Sequence, residues 1–91
     1  DAELLTMTIP ASSGLDAVSL LELRLPDAAV ITLIIREGRS FVPNDDTWLL
    51  AGDEILVVTT RSQRDTAERR LRAVARRGPL AHWFDEYGDA D

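Results

Sequence analysis

The sequence predicts a small α+β domain, a mainly antiparallel sheet with helices packed on it, in the order β-α-β-β-β-α. Three observations predict it. Leu5, Met7 and Ile9 alternate with threonines, and Ala29–Arg36 and Glu54–Thr60 are short runs rich in β-branched residues. The runs are separated by brief Gly- and Pro-containing reversals, and two further segments space their apolar residues helically. Strands joined by connections this short lie antiparallel.

The Leu5–Ile9 alternation reads as a strand with one buried face, stopped by Pro10. Ala11–Gly14 is turn-like. From Leu15 to Leu25, Val18, Leu21 and Leu25 with Leu20 and Leu23 form an apolar helical stripe, with Asp16 as N-cap or first-turn acid. Pro26 ends it by disfavouring helical geometry in the residue before. The nearly unbroken apolar run Ala29–Arg36 predicts a strand covered on both faces. Glu37-Gly38-Arg39 is a tight reversal, Ser40–Val42 returns beside it, and Pro43-Asn44-Asp45-Asp46 is a turn. Thr47–Leu49 is a short extended piece, Ala51-Gly52-Asp53 another turn, and Glu54–Thr60 a second buried strand. Ser62–Arg77 is the clearest helix, opened by a Ser62/Asp65 capping box and striped by Ala67, Leu71 and Val74. Acid-first pairs Asp65/Arg69 and Glu68/Arg72 support it, and Gly78-Pro79 closes it. Residues 1–78 form the domain, and 79–91 an acidic tail with Trp83, Phe84 and Tyr87, either docked or frayed.

Ninety-one residues, 45% of them hydrophobic, suffice for one core, and a core this small gains from dimerisation. The two apolar strands offer more greasy surface than two short helices cover, which predicts a homodimer. No apolar run approaches the ~18–20 residues that span a bilayer. No signal peptide is visible, and a start at Asp1 without methionine reads as a piece of a longer protein. With no cysteine, disulfides, thiolate nucleophiles and zinc–thiolate sites are excluded. The net charge is −6, yet seven of the ten arginines lie between Arg61 and Arg77. That segment is solvated and ion-paired, or it touches anionic lipid or nucleic acid; an acidic body is not the usual nucleic-acid binder, and none is expected as partner.

Nothing in the chain assembles a catalytic constellation, so no enzyme and no catalytic residue is expected. His82 is the sole histidine and reads as a surface or packing residue. Asp45-Asp46 and Asp53-Glu54 sit where carboxylates bond local N–H groups, and no metal site is assigned to them. Trp48 and Trp83 read as packing residues. Arg36 ends a very apolar strand, so its stem is covered while its guanidinium either holds a phosphate or caps a neighbouring carboxylate.

These stretches, in order, resemble the C-terminal domain of regulators of potassium conductance, the TrkA-C family. They are Gly14-Leu15 before Leu20-Leu21-Glu22-Leu23, Val30–Ile35 with Arg36-Glu37-Gly38, Val42-Pro43, Asp46-Thr47-Trp48-Leu49, and Ala51-Gly52-Asp53 before Ile55–Val58. The resemblance implies a cytoplasmic regulatory domain that dimerises and serves the transmembrane part of a potassium or cation transporter, here a cation/proton antiporter. It implies no cofactor, but some members bind cyclic di-AMP at the dimer interface. By resemblance the adenine floor is Ile34 and Ile35, Arg36 the phosphate partner and Pro43-Asn44 the rim. The alternatives are a dimerisation domain without a small ligand, or an anionic-surface binder acting through the arginine-rich helix.

Overall fold

A computed structural model describes residues 1–79. Four strands, β1 (Ala2–Thr8), β2 (Val30–Arg36), β3 (Arg39–Phe41) and β4 (Glu54–Thr60), form one fully antiparallel sheet in the order β1-β4-β2-β3. A four-residue helix α1 (Leu20–Leu23) follows β1, and the 14-residue α2 (Arg64–Arg77) follows β4. The element order is the one the sequence predicts.

The two central strands carry the core. Leu5 and Met7 of β1, Ile55 and Val57 of β4 and Ile31 and Ile34 of β2 share one face. That inner face is sealed by Leu15, Val18 and Leu49 from the connections, by Leu23 from α1 and by Ala67, Leu71 and Val74 from α2. Each large aliphatic side chain buried this way stabilises the fold by about 1.5–3 kcal/mol. The β2–β3 hairpin turns through Glu37 and Gly38, both at positive φ (51° and 78°), as a tight two-residue reversal requires. Gly14 is demanded by proximity: its N–H donates to the Ala75 carbonyl at 2.7 Å, and a Cβ there would overlap the Val74 carbonyl oxygen.

Three local expectations need correction. The first helix is one turn rather than Leu15–Leu25, because the polar start that closes a capping box is Ser19 with Glu22, not Asp16. Arg24 then turns left-handed (φ 54°) ahead of Pro26. Asp16 instead accepts from Ala51 N–H, tying the loop before α1 to the turn before β4. The long helix begins at Arg64 after a 3-10 turn over Arg61–Gln63, and Ser62 hydrogen-bonds Thr60 in place of the predicted capping box. Thr47–Leu49, expected as a short extended piece, holds a single bridge between Ser19 and Trp48.

The third correction concerns β2, which the described residues cover on one face only. Its pairing with β4 slips between Ile31 and Leu33, leaving Thr32 as an extra residue whose hydroxyl donates to the Leu56 carbonyl at 3.2 Å. The bulge puts Ile31 and Ile34 on the inner face and Val30, Leu33 and Ile35 on the outer one. Lack of alternation in the sequence thus reflects a change of phase, not double burial.

Candidate functional site

Among the described residues, none forms a layer over the outer face of the sheet. Its rows follow from the register: Leu4, Val58 and Val30 are cross-strand neighbours, and Thr6, Leu56 and Leu33 form the next row. Then come Thr8, Glu54, Ile35 and Ser40. The first row is wholly apolar, yet Leu4 is 55%, Val58 37% and Val30 56% exposed. The third brings in one carboxylate, Glu54. Leu4, Val58 and Val30 thus form a contiguous row of partly exposed apolar side chains on this face.

Val30 also borders a groove of about 330 Å³ between α1 and the start of β2. Leu20, Leu21 and Leu25 supply apolar wall, Arg24 one polar edge, and Pro43, Asn44 and Asp45 the opposite rim. The rim is tied to α1 by backbone bonds. Leu20 N–H donates to the Thr47 carbonyl at 3.0 Å and Leu21 N–H to the Asp45 carbonyl at 3.2 Å. Within the turn, the Asn44 side chain accepts from Asp46 N–H and the Thr47 hydroxyl from Asn44 N–H, both at 2.9 Å. Such short polar residues stabilise a turn by bonding its own backbone.

Beyond the hairpin end of β2 lies a polar clasp. Arg36 donates from Nε and Nη2 to the two oxygens of Asp53, each at 2.8 Å, and from Nη2 to the Trp48 carbonyl at 2.8 Å. Its guanidinium carbon stands 5.1 Å from the centre of the Phe41 ring. Asp53 is 1% exposed and also accepts from Leu50 N–H, so it caps the Ala51-Gly52 turn. Burial pushes the Asp53 carboxyl up, but the Arg36 guanidinium and the Leu50 N–H outweigh it and hold the group below its ordinary value. The hydrogen bond Arg36 donates to Asp53 correspondingly raises Arg36, against the opposing effect of burial.

The five residues expected at a ligand site fall in different places. Pro43 and Asn44 line the groove. Ile35 lies on the outer face, partly covered, whereas Ile34 has no exposed surface in the core. Arg36 projects to the inner side and caps a neighbouring carboxylate, the second of the two roles its sequence position allowed. Leu4, Leu20, Leu21 and Arg24 were not singled out for a site from the sequence. The β1 alternation already places Leu4 opposite Leu5, but α1 comes to the groove only through its bonds to the 43–47 turn.

Among the described residues no group of histidines, cysteines and carboxylates could hold a metal ion, and no helix is long and apolar enough to cross a membrane. Trp48 is exposed, whereas His82 and Trp83 lie outside the described residues, as does the rest of the tail beyond Pro79.

The TrkA-C domain model matches residues 4–72. None of the curated proteins compared with the chain matches it. Among solved structures, an RCK domain with cda is similar at 24% identity and a TM-score of 0.61, over 75% of this chain and 96% of that one. The RCK_C domain dimer of S. agalactiae BusR in complex with c-di-AMP is similar at 21% identity and a TM-score of 0.60, over 76% and 95%. The GsuK channel bound to NAD is similar at 19% identity and a TM-score of 0.63 over 79% of this chain, which spans 14% of the channel chain. At these identities the structural likeness concerns the fold.

Proposed function

Because the chain belongs to the TrkA-C domain family, a family of regulatory rather than catalytic domains, we propose that it is the cytoplasmic dimerisation and ligand-sensing domain of a potassium or cation transport protein, of the cation/proton antiporter kind. The observation that carries this reading is the exposed apolar row Leu4, Val58 and Val30 on the outer face. Two copies meeting there bury a surface that one copy leaves to water, and a twofold axis makes each contact twice. The membrane part of the parent protein would sense the relative placement of the two copies.

The ligand assigned to the interface is cyclic di-AMP, which the BusR domain dimer carries. In this reading Val30 and Ile35 form the apolar floor, backed from within by Ile34. Pro43 and Asn44 give the rim, while Arg36, turned to the inner side and bound to both oxygens of Asp53, is not a donor on this face. A ligand shifts such a domain only by its differential affinity for two dimer arrangements.

A second reading, dimerisation without a small ligand, is favoured by the clasp. With both Asp53 oxygens on Arg36 its charge is compensated, and the outer face presents Glu54 and no basic residue beside Ile35. Isothermal titration with cyclic di-AMP, alongside light scattering, decides between them. The sensing reading expects one ligand per two chains and a higher melting temperature. A dimer that yields neither heat nor thermal shift establishes the second reading, and a monomer at high micromolar concentration removes both.

A further inference from the structure

We propose that the outward side of α2, carrying Arg69, Arg72 and Arg76, is a docking surface for an anionic phospholipid bilayer. The inference rests on the reading of the chain as part of a membrane transport protein. Spacing of three and four residues puts these arginines on one side of the helix, and all three are exposed. The other side, with Ala67, Leu71 and Val74, is buried against the sheet.

The two halves of α2 differ in how their charges are met. Near its start, Arg61 and Arg64 face Glu3, and Arg64 and Arg72 share Glu68. From Arg69 to Arg77 the sequence contains no acid. Arg69 and Arg76 make neither ion pair nor side-chain hydrogen bond with any described residue. Among the described residues, Glu68 is the one carboxylate ion-paired to Arg69, Arg72 or Arg76. The outward positions Asp65, Glu68, Arg69, Arg72 and Arg76 include no apolar residue. Contact would therefore be peripheral and salt-sensitive, without insertion.

Layering and tethering point to the occupant. α2 covers the inner face, so association through the outer face leaves the arginines free. A chain of net charge −6 gains little from three arginines when free in solution. Held beside the membrane by its parent protein, it meets the lipid at a high effective concentration, an advantage duplex nucleic acid does not share.

Co-flotation with vesicles tests the proposal. The 91-residue chain is mixed with vesicles of equal phosphatidylglycerol and phosphatidylcholine, or of phosphatidylcholine alone, at low and at high salt. Binding is expected only to the anionic vesicles and only at low salt. Each basic residue near such a surface is worth about fivefold in partitioning, so R69Q/R72Q/R76Q should bind roughly 100-fold more weakly with unchanged melting temperature. Equal partitioning to both vesicles overturns the proposal, as does full binding by the triple variant. Tighter, equally variant-sensitive binding to duplex DNA would reassign the face to nucleic acid, and a changed oligomeric state in the variant would reassign it to a second copy. Light scattering tests the dimer separately, so either reading can fail alone.

Discussion

Ile55 and Val57 of β4 have no exposed surface, while Val58, one residue further along, is 37% exposed. The same contrast runs across the sheet: the inner face meets α2 and the connecting segments, and no described element packs on the outer face. The polar groups divide likewise. Inward, Arg36 and Asp53 satisfy one another; outward, Glu54 and the threonines face solvent. One layer of backbone therefore serves two tasks. Side chains on its inner side hold the fold together, and those on its outer side are the ones proposed to meet a second copy. Substitutions on the two faces should separate stability from association.

The largest effect belongs to the inner clasp. Arg36→Ala leaves the Asp53 carboxylate buried with the Leu50 N–H as its remaining donor, and should cost about 3 kcal/mol in urea unfolding. Replacing both partners, Arg36→Met with Asp53→Leu, should recover at least half of that loss. A cost below about 0.5 kcal/mol for Arg36→Ala would show that the pair behaves as an exposed ion pair and that the contrast between faces is shallower than drawn here.

Acid titration sharpens the same point. Asp53 is held below its ordinary 3.8 in the folded chain, so the unfolded chain binds its proton first as pH falls. The clasp's stabilisation is complete above about pH 4 and is lost as pH drops through the lowered value. Asp53→Asn should remove this part of the acid unfolding profile. A variant that retains the wild-type acid limb would assign it to other carboxylates.

The smallest stability change is expected on the outer face. Val30→Glu places a charge in the row with Val58 and Leu4, on a residue already 56% exposed. Unfolding free energy should move by no more than about 0.5 kcal/mol. The dimer should dissociate, read by light scattering, at protein concentrations at least tenfold higher than for wild type. An unchanged dimer would place the interface elsewhere.

Much of this division could be read in the sequence. The alternation in Leu5–Ile9, the reversals at Gly38 and Gly52 and the stripe Ala67, Leu71 and Val74 are local signals, and each marks the element found. Asp53 beside Gly52 was legible as a turn cap for the same reason. The bulge was not. Whether Ala29–Arg36 is buried twice or changes phase once depends on its register with β4, set by contacts more than 20 residues away. The extent of α1 was obscured because Leu15 and Val18 are buried from a loop, where apolar spacing mimics a helix. The groove depends on the 43–47 turn lying against α1, which no local pattern announces. Arg36 was recognisable as important, but its partner could be chosen only once Asp53 was seen across the hairpin end.

Gly14 has a mechanical consequence. With no side chain between them, the backbone of the 10–18 connection bonds directly to the last turn of α2, while the Ala17 N–H and the Val18 carbonyl of that connection bond Leu49. A push on the end of the long helix has no soft side-chain contact at Gly14 in which to dissipate. The link runs from main chain to main chain, from the end of α2 through the 10–18 connection to Leu49 ahead of the Ala51-Gly52 turn.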